Sequence, residues 1–352
     1  MTAMPAAVRE PCAWLAADLQ ADRSWAVPVS EAQRAELSAA VAAVRARGLR
    51  AADFGKADFP LPAFGAVLAR AQQDLEHGRG CVLLRGLPVT GDAEDAARLL
   101  WGLGLHLGRA LRQHARVNVG GFRDDLIAHI VDQGLDYNAP NVHGSATSAE
   151  QMPHTDPADV VGLLCVRKAE AGGVSRIASA TAVYHALLAA RPDLVRVLEI
   201  GYAHDLRQLE ATGDTGPLTP ARIPVFGAHE GRLACVYNSK TVLAAAKKSG
   251  VPLTALEREA LEAVSALALD PGFQVEMTLE PCDLQLLNNY TVLHSRTAWT
   301  DPDPAHGRLM LRLWLKVPNA RALSPVMAAG YSYGTRYDVS RQAATAPRQA
   351  VA

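Results

Sequence analysis

Two metal-binding side chain types stand two residues apart in the run Met152-Pro153-His154-Thr155-Asp156. On extended backbone alternate residues share a face, so the His154 imidazole and the Asp156 carboxylate can converge on one ion. A third donor must come from elsewhere, and His294, at a polar turn after the apolar run LQLLNN, fits. Two imidazoles and one carboxylate on one side of an iron(II) ion leave its other positions open. Open positions admit a bidentate co-substrate and O₂ together, which is oxidation chemistry. A bare H-x-D occurs by chance in many chains, and a lone His is more often a surface or core residue. Specificity therefore has to come from further signals.

The run from Arg308 to Leu315 (RLMLRLWL) supplies one. It alternates strictly, with Arg308, Met310, Arg312 and Trp314 on one face and four leucines on the other. The leucine face predicts packing under a core. Two guanidinium groups within an apolar strand are costly unless they meet anions or lie on an exposed edge. A planar guanidinium fork suits a carboxylate, and the far carboxylate of 2-oxoglutarate is a natural partner fourteen residues beyond His294.

The elements that must position these groups are readable in outline. Residues 1–110 read as mainly helical. Ser30 with Gln33 predicts a capped helix stopping at Gly48, and further helices are expected over Phe64 to Glu76 and Glu94 to Leu105. From about Val117 the texture changes to short apolar runs between turns. Strands are predicted for Cys81 to Arg85, Val160 to Arg167, Arg176 to Ser179, Leu233 to Tyr237, Gln274 to Leu279, Leu284 to Asn288 and Leu309 to Lys316. Helical insertions are predicted at Ala182 to Ala190, Asp193 to Leu198, and from the Thr254 cap to about Leu269. Many short strands with few long helices suggest an α+β chain: a double-stranded β-helix (jelly-roll, cupin-like) core over 117–320, with N-terminal and inserted helices. Residues 1–330 read as one domain and 331–352 as a loose tail. The polar segments Asp132 to Gln151 and His204 to Pro224 read as lids or binding loops.

Composition excludes several classes. Net charge is −1, so no bulk field draws in nucleic acid or an acidic membrane surface. No run of about 18 uncharged apolar residues suggests a membrane span. Five scattered cysteines without C-x-x-C spacing argue against a disulfide framework or structural zinc and for a reducing cytoplasm. His129, His143, His204, His229 and His306 read as loop or surface residues, Cys165 as core, and Trp299 and Trp314 as packing. Arg296 is open between binding an anion and pairing structurally.

Four landmarks stand in a recognisable order: HTDPADVVGLLCVRKAEAGGVSRIASA, RPDL, DLQLLNNYTVLHSRT and GRLMLRLWL. Over roughly Cys81 to Leu323 the chain resembles the taurine/2,4-dichlorophenoxyacetate dioxygenase (TauD/TfdA) family of Fe(II)/2-oxoglutarate oxygenases. The resemblance implies Fe(II) held by His154, Asp156 and His294, with 2-oxoglutarate and O₂ as co-substrates. It places Arg308 on the far carboxylate of 2-oxoglutarate, with Ser175 assisting. Arg312 matches an arginine that contacts an anionic substrate in taurine dioxygenase-like members, and Asn288 and Asn289 match residues that orient the site. Asp156 argues against halogenation, because family halogenases lack that carboxylate. The segment VHGSATSAEQ and the loop after His204 depart from the taurine-specific pattern. The implied reaction is oxidation of an unactivated C–H bond, chiefly hydroxylation, with desaturation or cyclisation as variants. The implied substrate is a small carboxylate-bearing or amino-acid-derived molecule, and succinate and CO₂ are released. The competing readings are a silent cupin-like binder of small acids and a divalent-metal hydrolase or isomerase. The expected partner is a small molecule, and a homo-oligomer stays open.

Overall fold

The computed structural model describes residues 10–113, 126–137, 142–206, 218–303 and 306–330. Val117, parts of the two long polar loops (138–141 and 207–217) and the expected tail 331–352 lie outside the described residues. The architecture is an α+β jelly-roll core with helices on its outer faces.

A seven-stranded sheet runs in the order Ala26–Pro28, Cys81–Arg85, Leu284–Asn288, Val160–Arg167, Leu309–Lys316 and Arg109–Leu111, with Ile127–Ile130 also paired to Leu309–Lys316. A four-stranded sheet runs Gln274–Met277, Ser175–Ser179, Val292–Arg296 and Gln151–His154. Val161, Leu287 and Trp314 of the first sheet pack with Ile177, Val275 and Val292 of the second, so the two sheets face each other. The other face of the larger sheet carries Leu309, Leu311, Leu313 and Leu315, which bury against the helices Glu31–Ala46, Phe64–His77 and Ala93–Leu107. Each leucine so buried contributes about 1.5–3 kcal/mol. The alternation of the RLMLRLWL run is thereby explained: leucines meet helices, while Met310, Arg312 and Trp314 point between the sheets. Gly102 lets the last of those helices close onto Phe59, because a Cβ there would stand 2.5 Å from the Phe59 ring. The smaller sheet is covered outside by Ala180–Ala190, Pro192–Ile200 and Ala255–Ala268.

Local signals explain the boundaries. Ser30 and Gln33 form the expected reciprocal cap, as do Thr254 and Glu257. Pro192 sits at the first helical position, where its missing N–H costs nothing.

Several expectations are corrected. His294 is not at a turn after a strand but inside its own strand, Val292–Arg296. Ser239–Ser249, where no element was expected, is a helix capped by Asn238, whose side chain accepts from the Thr241 N–H. After Pro318, where no element was expected, the chain forms the short helix Pro325–Gly330. Arg321 is buried there, donating to Glu76 Oε1 at 3.0 Å and standing 3.2 Å from Glu10 Oε1. His129 and His204 are buried rather than superficial. Among the described residues no helix is long and apolar enough to cross a membrane.

Candidate active site

The strand Gln151–His154 lies at the edge of the smaller sheet and pairs antiparallel with Val292–Arg296. An edge tolerates Pro153, which has no N–H to offer a further neighbour. His154 stands directly opposite His294 in this pairing. Opposed residues on neighbouring strands share a face, and the two rings lie 4.3 Å apart, centroid to centroid. The register then shifts, so that Arg296 pairs with Gln151.

Asp156 follows just beyond the strand. Its backbone N–H donates to Asn289 Oδ1 at 3.0 Å, and the Thr155 N–H donates to the Tyr237 carbonyl at 2.7 Å. These bonds carry the carboxylate back toward the imidazoles. Asp156 Oδ1 is 3.9 Å from His154 Nε2, and Oδ2 is 3.7 Å from His294 Nε2. One donor atom from each of the three residues falls within 4.8 Å of the others.

The electrostatics suit a cation. His154 Nδ1 donates to the Met152 carbonyl at 2.8 Å, which leaves the Nε2 lone pair free to face inward. Burial, then the neighbouring His294, lower the His154 pKa to about 4, against the pull of Asp156. The ring is therefore neutral at physiological pH. Burial alone would raise the Asp156 pKa, but Arg312, His294 and His154 outweigh it and hold the carboxyl well below its usual range. Trp314 Nε1 donates to Asp156 Oδ2 at 2.9 Å, and Arg312 Nη1 stands 3.5 Å from the same oxygen. His294 Nδ1 is buried without a hydrogen-bond partner among the described residues. Two imidazoles, that of His154 neutral, and one ionised carboxylate, converging this closely, fit an iron(II) ion.

A second group of charges lies elsewhere between the sheets. Arg308 and Arg296 both stack on Trp299, with guanidinium carbons 4.6 and 3.8 Å from its ring centroid. Gly173, with φ +68°, passes so close that a Cβ would meet Arg308 Nε at 3.2 Å. Arg308 is 9% exposed, and its Nη1 is buried without an acceptor. Burial lowers the Arg308 pKa to about 10; burial and then Arg308 lower that of Arg296 to about 9. Both groups stay protonated at neutral pH, and the direction records charge held away from water. Arg296 bonds the carbonyls of Thr297, Gly144 and Thr147 at 3.2–3.3 Å, which gives it a structural partner set. Ser175 Oγ donates to Gln285 Oε1 at 3.2 Å, across the two sheets.

A cavity of about 130 Å³ opens onto the metal-ligand set. His154, Asp156, Arg312 and Trp314 form its floor, and Tyr137, Asp205 and Lys240 are among its walls. Described parts of both polar loops thus line it. His294, Arg308 and Ser175 do not. The structure brings His154, Asp156, His294 and Arg312 together and stacks Arg308 on Trp299. Asn289 reaches the site, whereas Asn288 donates to the Leu75 carbonyl and Glu76 Oε2 and ties the strand to a helix. Trp314 and Gln113, which accepts from Arg312 Nε at 2.7 Å, were not legible as site residues. Inward alternation on a strand carrying Arg312 was the one available signal for Trp314.

Comparisons with known proteins agree with this geometry. Residues 45–314 match the family model described as taurine catabolism dioxygenase TauD, TfdA family. FR-33289 synthase of Streptomyces rubellomurinus is 31% identical over 330 residues, covering 92% of this chain and 94% of that protein. The taurine hydroxylase-like protein SAT17 of Stachybotrys chartarum is 27% identical over 296 residues, covering 81% of this chain and 73% of that one. Among solved structures, an asparagine oxygenase with Fe(II), 2S,3S-3-hydroxyasparagine and succinate superposes with a TM-score of 0.65 at 19% identity, covering 87% of this chain and 98% of that one. The non-heme iron oxygenase OrfP with Fe and alpha-ketoglutaric acid gives 0.57 at 12% identity, covering 83% and 93%. At these identities the structural likeness speaks for the fold.

Proposed function

The chain belongs to the TauD/TfdA family and is an Fe(II)/2-oxoglutarate-dependent oxygenase, and we propose that His154, Asp156 and His294 hold its iron and that its substrate is a small amino-acid-derived or carboxylate-bearing molecule, hydroxylated at an unactivated carbon. The observation that carries the assignment is the cross-strand opposition of His154 and His294 with the ionised Asp156 beside them. Iron held by these three residues would supply the oxidising power, with 2-oxoglutarate and O₂ converted to succinate and CO₂ as the substrate is hydroxylated.

The chain's own residues do the rest. Met152 fixes the His154 tautomer through its carbonyl, and Asn289 orients Asp156 through the backbone. Arg308 receives the far carboxylate of 2-oxoglutarate, whose charge satisfies the buried guanidinium; Ser175 exchanges its bond to Gln285 for one to the same carboxylate. The substrate occupies the cavity above Asp156. Its size and its walls, bearing Asp205 and Lys240, suit a compact molecule with groups of both signs. The helices over Leu37, Leu68 and Leu99 share a continuous core with the larger sheet, which supports reading residues 1–330 as one domain. All five cysteines are unpaired thiols, which suits work in a reducing cytoplasm.

The test is succinate release from 2-oxoglutarate with iron and a panel of small amino-acid derivatives. The wild type is expected to turn over in an iron-dependent way, and His154→Ala to fall to background while keeping its fold. Absence of iron-dependent turnover across the panel, even uncoupled from substrate oxidation, overturns the assignment.

A further inference from the structure

Asp156 Oδ2 has two partners from a single strand of the opposite sheet. The Trp314 indole N–H donates to it at 2.9 Å, and Arg312 Nη1 stands 3.5 Å away. Neither partner is loose. Trp314 is 3% exposed, and its ring lies 4.5 Å from the Arg312 guanidinium carbon. Arg312 Nε donates to Gln113 Oε1 at 2.7 Å, and Gln113 Nε2 donates back to the Arg312 carbonyl at 2.8 Å and to the Leu126 carbonyl at 3.1 Å. The hydrogen bond therefore comes from a scaffold with no freedom to follow the carboxylate. It fixes rotation of the carboxyl group and occupies an acceptor lone pair of Oδ2. Held this way, the carboxylate faces both imidazoles, with Oδ1 3.9 Å from His154 Nε2 and Oδ2 3.7 Å from His294 Nε2.

We propose that Trp314 is a positioning residue for the metal centre: its indole N–H, with Arg312 beside it, fixes the rotation of the Asp156 carboxylate so that it stays turned toward His154 and His294. This rests on the reading of His154, Asp156 and His294 as ligands. A tryptophan that merely filled space would be replaced by phenylalanine with little effect on metal binding. An N–H that orients a ligand cannot be, since partners of this kind are worth about 10- to 100-fold in metal affinity.

The experiment titrates Co(II) into the full-length protein under anaerobic conditions, without 2-oxoglutarate, reading the visible cobalt spectrum. For Trp314→Phe the dissociation constant is expected to rise about 10- to 100-fold, and the spectrum to change because the freed carboxylate can rotate. The thermal midpoint of the metal-free variant serves as the folding control. If phenylalanine prevents folding, site-specific 3-benzothienylalanine at 314 keeps the ring shape, removes only the N–H, and carries the same expectation. Binding within about two-fold of wild type, with an unchanged spectrum, overturns the role of Trp314 alone. Failure of the wild type to bind one equivalent, or Asp156→Ala binding as tightly as wild type, overturns the metal-centre reading beneath it.

Discussion

Charge is buried in two places between the sheets, and the two differ in what balances it. Around Asp156 the signs are mixed: one carboxylate faces two imidazoles, an indole N–H and the Arg312 guanidinium. Around Trp299 they are not, because Arg296 and Arg308 stack on one ring. Arg296 answers its burial with three backbone carbonyls, while Arg308 Nη1 has no acceptor among the described residues. The first cluster is organised before any ligand arrives and needs only a cation to complete it. The second is incomplete by one anion, and its cost is recovered only when that anion binds.

Mutations of opposite consequence should break or sharpen this contrast. The largest effect is expected from Asp156→Ala. Succinate formation should fall to background, and the ligand-free protein should lose about 3–5 kcal/mol in denaturant unfolding, because Arg312 is left buried without its carboxylate. Arg308→Met should instead leave ligand-free stability unchanged or raised, while the KM for 2-oxoglutarate rises about 30- to 1000-fold, the loss of a buried charge-assisted contact. A clear drop in stability for Arg308→Met, matching that of Asp156→Ala, would erase the distinction between the clusters. The wild type should gain about 2.7 kcal/mol of stability at 2-oxoglutarate concentrations near 100 times Kd, measured with metal present, and Arg308→Met should show no such gain at the same concentration. Arg296→Gln removes charge from the second cluster and weakens its hold on the loop carrying Gly144 and Thr147. It should raise the substrate KM about 3- to 10-fold with a smaller change for 2-oxoglutarate, as about 1 kcal/mol is lost per bond. The smallest effect is Ser175→Ala, about 2- to 5-fold on the 2-oxoglutarate KM, one neutral hydrogen bond.

Much of this was legible because strands write their faces into alternate residues. Val160–Arg167, Leu284–Asn288 and Leu309–Lys316 run as expected, and the split between leucines and inward residues on the last strand is the one observed. The same logic was available for Val292–Arg296, where Val292, His294 and Arg296 alternate with Leu293 and Ser295, but the short run was absorbed into a turn. Ser239–Ser249 escaped notice because its Lys- and Ala-rich surface is weakly patterned, although Asn238 and the left-handed Gly250 marked both ends. Other features had no local signal at all. Trp314 meets Asp156 across 158 positions of chain, and Arg321 meets Glu76 across 245. Such pairings are decided by how sheets and terminal segments stack, and a single chain read in order does not carry them. The stacking of Arg308 and Arg296 on one Trp299 ring was likewise hidden, since spacing along a strand says which face a side chain takes but not what it looks upon.

The direct opposition of His154 and His294 also bears on how such an enzyme can change over time. A one-residue insertion inside either strand would turn its histidine toward the outer helices, so length variation there is all-or-none. The cavity walls, in contrast, come from segments beyond the strand ends, including those around Tyr137, Asp205 and Lys240. New substrates can be explored by rebuilding those walls while the spacing of the iron ligands is inherited intact.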